Sequence, residues 1–257
     1  MDPRNRGDLD RLTARYRSLP GGEQVAFVDE AYRLPNECRP GEKPFYALTA
    51  VLLTINDHAN IRADLHRIVG GNWWHTVDAQ QTQDGLPKIE ALTDYLADYR
   101  DPCVLAVCHT PGPDDQAIGM RAVSLSALLA ALGSQAPRPS AGPGEDQQRV
   151  VPAQAKMVVL ERQNRHQDTD RDLHTIRQAR QSGVIGRHFP VMHVSPSIEN
   201  LLWLPDLVSH TYRRYITHDE VLVTRLDGQT VTIELPANKS DPLGAAAYVQ
   251  GVSRLFQ

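Results

Sequence analysis

Three short stretches constrain the fold most: VAFV at 25–28, CVLAVCHT at 103–110 and KMVVLERQ at 156–163. Each carries a near-continuous apolar run, without the alternation of a strand that has one face in water. Such runs read as strands buried on both sides of a sheet. FYALTAVLLTI (45–55) reads as a further strand. It follows the first across the turn-rich loop PNECRPGEKP, and the two form a long antiparallel hairpin. WWHTVDAQ (73–80) is expected as a short strand and FPVMHVS (189–195) as the last core strand.

Between the strands the apolar period changes to that of helices. DHANIRADLHRIVGG (57–71) places Ile61, Leu65, Ile68 and Val69 on one side and closes on a glycine pair. LPKIEALTDYLADYR and QAIGMRAVSLSALLAALG are further helices. TDRDLHTIRQARQSG is another, with a Thr cap and a Gly stop. SIENLLWLPDLVSHTYRRYI (197–216) is a helix whose regular part is expected to begin near Leu204, since proline is tolerated in a first turn. DLDRLTARYRS (8–18) reads as a charged helix, taken as a solvated arm. EVLVTRLDGQTVTIELP (220–236) reads as a hairpin turning at Asp-Gly, and 241–255 as a closing helix. The Pro-, Gly- and Ser-rich segment 133–152 cannot build a core and is expected as a flexible insertion. The sum is a single α/β domain: a mixed sheet flanked by helices, with its core at about 24–216 and an extension, 217–257, of hairpin and helix.

The chain has 257 residues and a net charge of −4, so no broad basic surface advertises nucleic-acid binding; such contact would need a local patch. Arg213 and Arg214, two turns past Asp206, are candidates for it, with Arg177, Arg180 and Arg187. The three cysteines form no CxxC pair, which suits a reducing, cytoplasmic setting. The N-terminus MDPRNRGDLDRL lacks the apolar core of a signal peptide. No apolar run approaches the roughly 18 residues of a membrane span. Neither GxxxxGK[ST] nor GxGxxG occurs, and the histidines have no zinc-like spacing with the cysteines.

The acids carry the functional reading. The first strand ends in Asp29 and Glu30, the late buried strand ends in Glu161, and Asp206 interrupts the apolar LLWLPDLVSHTY. Neighbouring strand ends lie about 4.8 Å apart, and a helix laid across them would add a third carboxylate. Like charges so placed raise one another's pKa, and a divalent cation cancels the repulsion. Hard oxygen ligands suit Mg²⁺ or Mn²⁺, and such ions serve phosphodiester hydrolysis. Against this, a lone acid at a strand end is usually solvated, and Asp206 near a helix start competes as an N-cap. His75 is a candidate proton shuttle or neighbour of the metal, with Asp78 as a further ligand held loosely. Trp73 and Trp74 read as core before base-stacking platform.

FVDEAYRL, FYALTAVLL, WWHTVDAQ, KMVVLER and LLWLPDLVSHTYRR, in that order, resemble the bacterial and phage proteins grouped as domain of unknown function 3800 (DUF3800), which look ribonuclease-H-like. The resemblance covers about residues 24–216. In that family the first strand ends in Asp-Glu-Ser-Gly, a His-containing strand leads into a helix, a late strand carries an acid, and a helix carries Leu-Gln-Leu-Ala-Asp. By position the resemblance makes Asp29, Glu30, His75, Glu161 and Asp206 the catalytic set, with Asp29, Glu161 and Asp206 on the metal. It departs at Ala31 and Tyr32, which replace Ser-Gly, and at Trp203, Leu204 and Pro205, which replace Gln-Leu-Ala. It implies a Mg²⁺- or Mn²⁺-dependent nuclease acting on RNA or DNA. The alternatives are a non-catalytic binding protein of a mobile-element or defence system and a phosphohydrolase of small nucleotides.

Overall fold

The computed structural model describes residues 3–113, 116–133, 154–163, 166–236 and 252–254. In order, these form α1 (Pro3–Arg17), β1 (Gln24–Arg33), β2 (Phe45–Thr54), α2 (His58–Val69), α3 (Thr76–Ala79), α4 (Gly85–Tyr99), β3 (Cys103–Cys108) and α5 (Ala117–Gly133). Then come β4 (Met157–Glu161), α6 (His166–Gln181), β5 (Val191–Val194), α7 (Trp203–His218), β6 (Thr230–Glu234) and β7 (Val252–Arg254). The strands make one seven-stranded sheet in the order β5-β4-β1-β2-β3-β6-β7. β1, β2 and β3 are antiparallel neighbours, whereas β4 runs parallel to β1, β5 to β4 and β6 to β3. The expected mixed sheet flanked by helices is therefore present.

Alternation along the strands divides the core in two. Val25, Phe27, Val51, Leu105 and Val159 face α1, α2, α4 and α7 on one side. Ala26, Val28, Leu52, Val104 and Val158 face α5 and α6 on the other. With helices on both faces, β1, β2, β3 and β4 have no solvated side, and their continuous apolar runs follow from that. α5 lies flat on its face and buries nearly its whole length.

Several elements depart from the sequence reading. WWHTVDAQ is not a strand: Trp73, 57 % exposed, and buried Trp74 lead into α3. The segment expected as a solvated arm is docked, because Leu12 is buried, Tyr16 donates to Glu199 Oε2 at 2.8 Å and Asp8 pairs with Arg162. Helix α6 begins at His166, so Thr169 lies inside it rather than capping it, although Gly183 does supply the left-handed stop at φ 76°. The predicted C-terminal hairpin is replaced by a 3₁₀ helix, Leu222–Gln229, followed by β6. Val223 and Leu226, three residues apart, bury one stripe of that helix. Asp227 and Gly228 lack the positive φ that a two-residue hairpin turn of type I′ demands. β6 instead adds to the far side of β3, and the sheet continues past residue 216. The expected insertion lies outside the described residues apart from Gly133, and so does the expected closing helix except at 252–254, which form β7.

Candidate active site

β1 and β4 run side by side in the same direction and pair as far as Val28 and Leu160. One residue further, Asp29 and Glu161 stand next to each other. Both continue the odd-numbered side of their strands, the side of Phe27 and Val159, which α7 covers. Asp206 lies in the first turn of α7. The three acids, 45 to 177 residues apart in sequence, line one cleft of about 270 Å³ together with His75, Ser209 and Arg213.

The electrostatics of these acids are coupled. Burial pushes the Asp29 carboxyl well above the usual carboxylate range, and the charges of Glu161 and Asp206 push it further. Glu161 is raised by burial and by Asp206, while a hydrogen bond with Asp29 holds it down in part. Asp206 is raised by burial and held down by the Thr76 backbone N–H and by His75. Among the described residues none of the three is ion-paired to lysine or arginine.

Asp206 does not cap its own helix. Thr76 donates both its backbone N–H and its hydroxyl to Asp206 Oδ2, each at 2.8 Å, so Asp206 holds the start of α3. Trp74 Nε1 in turn donates to Thr76 Oγ1 at 2.9 Å. One carboxylate oxygen is thus fixed by a chain of bonds that includes a buried tryptophan. His75, just before α3, faces the cleft and lies 3.2 Å from Asp78 through Nδ1. Asp78 itself is exposed and does not line the cleft.

Glu30 goes elsewhere. As the next residue on a strand it points to the opposite face, where its carboxylate meets Arg121 Nη1 of α5 at 2.8 Å and accepts from the Tyr46 hydroxyl. Arg121 also binds Asp172 through Nε at 2.9 Å, and His193 Nε2 lies 3.0 Å from Asp172. The expectation that Glu30 assists the metal acids is therefore corrected: it borders the cleft, but its carboxylate belongs to a separate buried network. Arg214 is corrected likewise, since it pairs with Glu220 and lines a different cavity. Arg213 lines the acid cleft. It is half-buried over the cleft, and burial together with Arg33 and Arg214 lowers its pKa.

Sequence reasoning missed Thr76, Ser209 and His210. The last two stand three and four residues after Asp206, the spacing that shares a helix face. Among the described residues, the Ser209 hydroxyl and His210 Nδ1 are buried without a hydrogen-bond partner. Burial, then Arg213 and Arg214, pushes the His210 pKa down to about 4, so the ring is neutral at pH 7.

Among the described residues, no three His, Cys, Asp or Glu side chains stand in a finished metal cage. The chemistry of the donors nonetheless fits a hard divalent cation. Three carboxylates from separate elements face one cleft, with a buried serine hydroxyl and a buried imidazole nitrogen beside them that have no hydrogen-bond partner among the described residues.

No protein-family model matches the chain, and no curated protein matches it. Among solved structures, the chain is similar to a mutant of the ribonuclease Bst-RNase HIII, with 13% identity and a TM-score of 0.38. The likeness covers 78% of this chain and spans 56% of the length of that protein. No helix among the described residues is long and apolar enough to cross a membrane.

Proposed function

We propose that this chain is a ribonuclease-H-like, divalent-metal-dependent nuclease that hydrolyses phosphodiester bonds of RNA or DNA. The observation that carries the reading is the convergence of Asp29, Glu161 and Asp206 on one cleft, with the charges of Glu161 and Asp206 raising the Asp29 pKa and, among the described residues, none of the three ion-paired to lysine or arginine. These three residues would hold Mg²⁺ or Mn²⁺. When bound, such a metal would activate water and stabilise charge on the leaving oxygen. The resemblance to the DUF3800 family belongs to this proposal and rests on the ordered motifs.

The protein's own groups then take defined parts. Thr76 fixes Oδ2 of Asp206 and leaves Oδ1 for the metal. Arg213, the cation over the cleft, attracts a substrate phosphate. His75, solvent-accessible at the cleft wall, can exchange a proton with water near the departing oxygen. A second reading, a binding protein of the same architecture without catalysis, draws on the lack of a preformed metal cage among the described residues. Cleavage assays on labelled RNA, single-stranded DNA and duplex DNA decide between them. The proposal expects Mn²⁺-dependent cleavage of at least one substrate, abolished by EDTA and by Asp29→Asn. Undiminished cleavage by Asp29→Asn, or none by the native protein on any substrate, counts against it.

A further inference from the structure

A second cavity, of about 510 Å³, adjoins the acid cleft, and His210 lines both. Its size falls in the range of small-molecule sites, about 300–1,000 Å³. The two meet along α7, where Asp206 and His210 are one turn apart on the same face. Gln80 bonds to His210 Nε2 at 3.2 Å at this junction. His210 is 6% exposed, and its Nδ1 has no partner among the described residues.

The walls are unusual for a surface cavity. Leu86 of α4, 48 % exposed, and Val221, 67 % exposed, line it beside Ile89 and Leu222. Exposed aliphatic side chains around a concavity mark a place where an apolar ligand face is taken out of water. The rim is not basic. Arg214 is bound to Glu220, and Arg225 is bound to Asp94 at 2.7 Å. Glu90 and Asp219 also line the cavity, and neither has an ion-pair partner among the described residues. Free phosphate is therefore disfavoured here. A flat, uncharged ring with N–H groups at its edge suits apolar walls, unpaired carboxylates and an unpartnered imidazole nitrogen.

We propose that this cavity is a nucleobase-binding subsite, holding a base next to the phosphate in the acid cleft. The choice of a nucleobase over other heterocycles rests on the nuclease reading; the apolar, non-anionic character of the ligand does not. The base stacks on Leu86 and Val221, presents N–H donors to Glu90 or Asp219, and bonds to His210. The attached phosphate extends past His210 toward Arg213. This arrangement gives the protein contact with the base itself, and so a preference among bases at one position.

Equilibrium titration with the common ribonucleosides, in EDTA, tests the subsite apart from any metal chemistry. The expected result is saturable binding of at least one nucleoside, equal for the native protein and Asp29→Asn. Leu86→Glu and, separately, Val221→Glu should each weaken it by about tenfold, the scale of losing one side chain's apolar contact. Val221 is two-thirds exposed, so its substitution leaves folding intact, as the circular dichroism spectrum and Tm will report. No saturable binding of any nucleoside overturns the proposal. So does binding that neither substitution weakens, or displacement of the nucleoside by spermidine, which would mark a cation site. Nucleoside binding without cleavage would sink the nuclease reading and leave the pocket standing.

Discussion

Asp29 and Glu30 are neighbours in the chain and opposites in the fold. Glu30 turns to the α5 side and finds Arg121, Tyr46 and, through Arg121, Asp172 and His193. Asp29 turns to the α7 side and finds two more acids. Both environments are largely buried, yet one is neutralised and the other is not. A buried acid with a bonded guanidinium holds helices to a sheet. Buried acids set against each other destabilise the folded state, and they persist where something from outside completes them. Consistent with this, Asp172 has its pKa lowered by His193 and Arg121 despite burial, whereas Asp29 is driven up.

The sharpest way to break this contrast is to remove the cation from the neutralised side. Arg121→Met keeps the volume but takes the guanidinium from Glu30 and Asp172, leaving them only the Tyr46 hydroxyl and His193, at a cost of about 3–5 kcal/mol. Thermal melts should show a drop of roughly 10 °C for a domain of this size. An unchanged Tm would mean that the network is not structural.

On the other side a cation should be gained. Mn²⁺ at about 100 times its Kd should add roughly 2.7 kcal/mol of stability to the native protein. The same addition should do nothing for Asp29→Asn. Equal stabilisation of both would place the ion elsewhere.

The two arginines of α7 divide along the same line. Arg213→Ala should lower cleavage by about tenfold, as for loss of one charge-assisted phosphate contact. Arg214→Ala, whose partner is Glu220, should leave cleavage nearly unchanged. A reversal in the paired assay would place the substrate phosphate beside Arg214 rather than beside Arg213.

The smallest effect is one of sign. The native pKa of Asp29 lies above its unfolded value, so the folded state holds more protons and metal-free stability falls as pH rises through that interval. Asp29→Asn should therefore melt higher than the native protein at pH 7 without metal, and the difference should shrink on acidification. Asp172 runs the other way: its depressed pKa contributes stability above the unfolded value that is lost as pH falls. Melts of both proteins across the acid range separate the two trends.

Much of this was legible in the sequence, and the failures have physical causes. β1, β2, β3 and β4 were legible because strands covered on both faces leave long apolar runs. Asp29, Glu161 and Asp206 were legible as separate interruptions of such runs. Glu30 was misplaced although strand alternation alone sends it to the opposite face from Asp29. Its partner Arg121 is hidden in the most apolar helix, where nothing local marks it as buried with a charge. The hairpin at 220–236 was misread because Asp-Gly is a strong turn signal. The three-residue spacing of Val223 and Leu226, which packs a 3₁₀ turn, carries less weight over so short a segment. Thr76 could not be read at all, since its role exists only once α7 brings Asp206 to it from 130 residues away.

The central claim is that one cation belongs among Asp29, Glu161 and Asp206. Anomalous diffraction from a crystal of the protein soaked in Mn²⁺ addresses it directly. The account predicts a manganese peak within coordination distance, about 2.0–2.6 Å, of oxygens from all three residues. A cleft without manganese at saturating Mn²⁺ would contradict it.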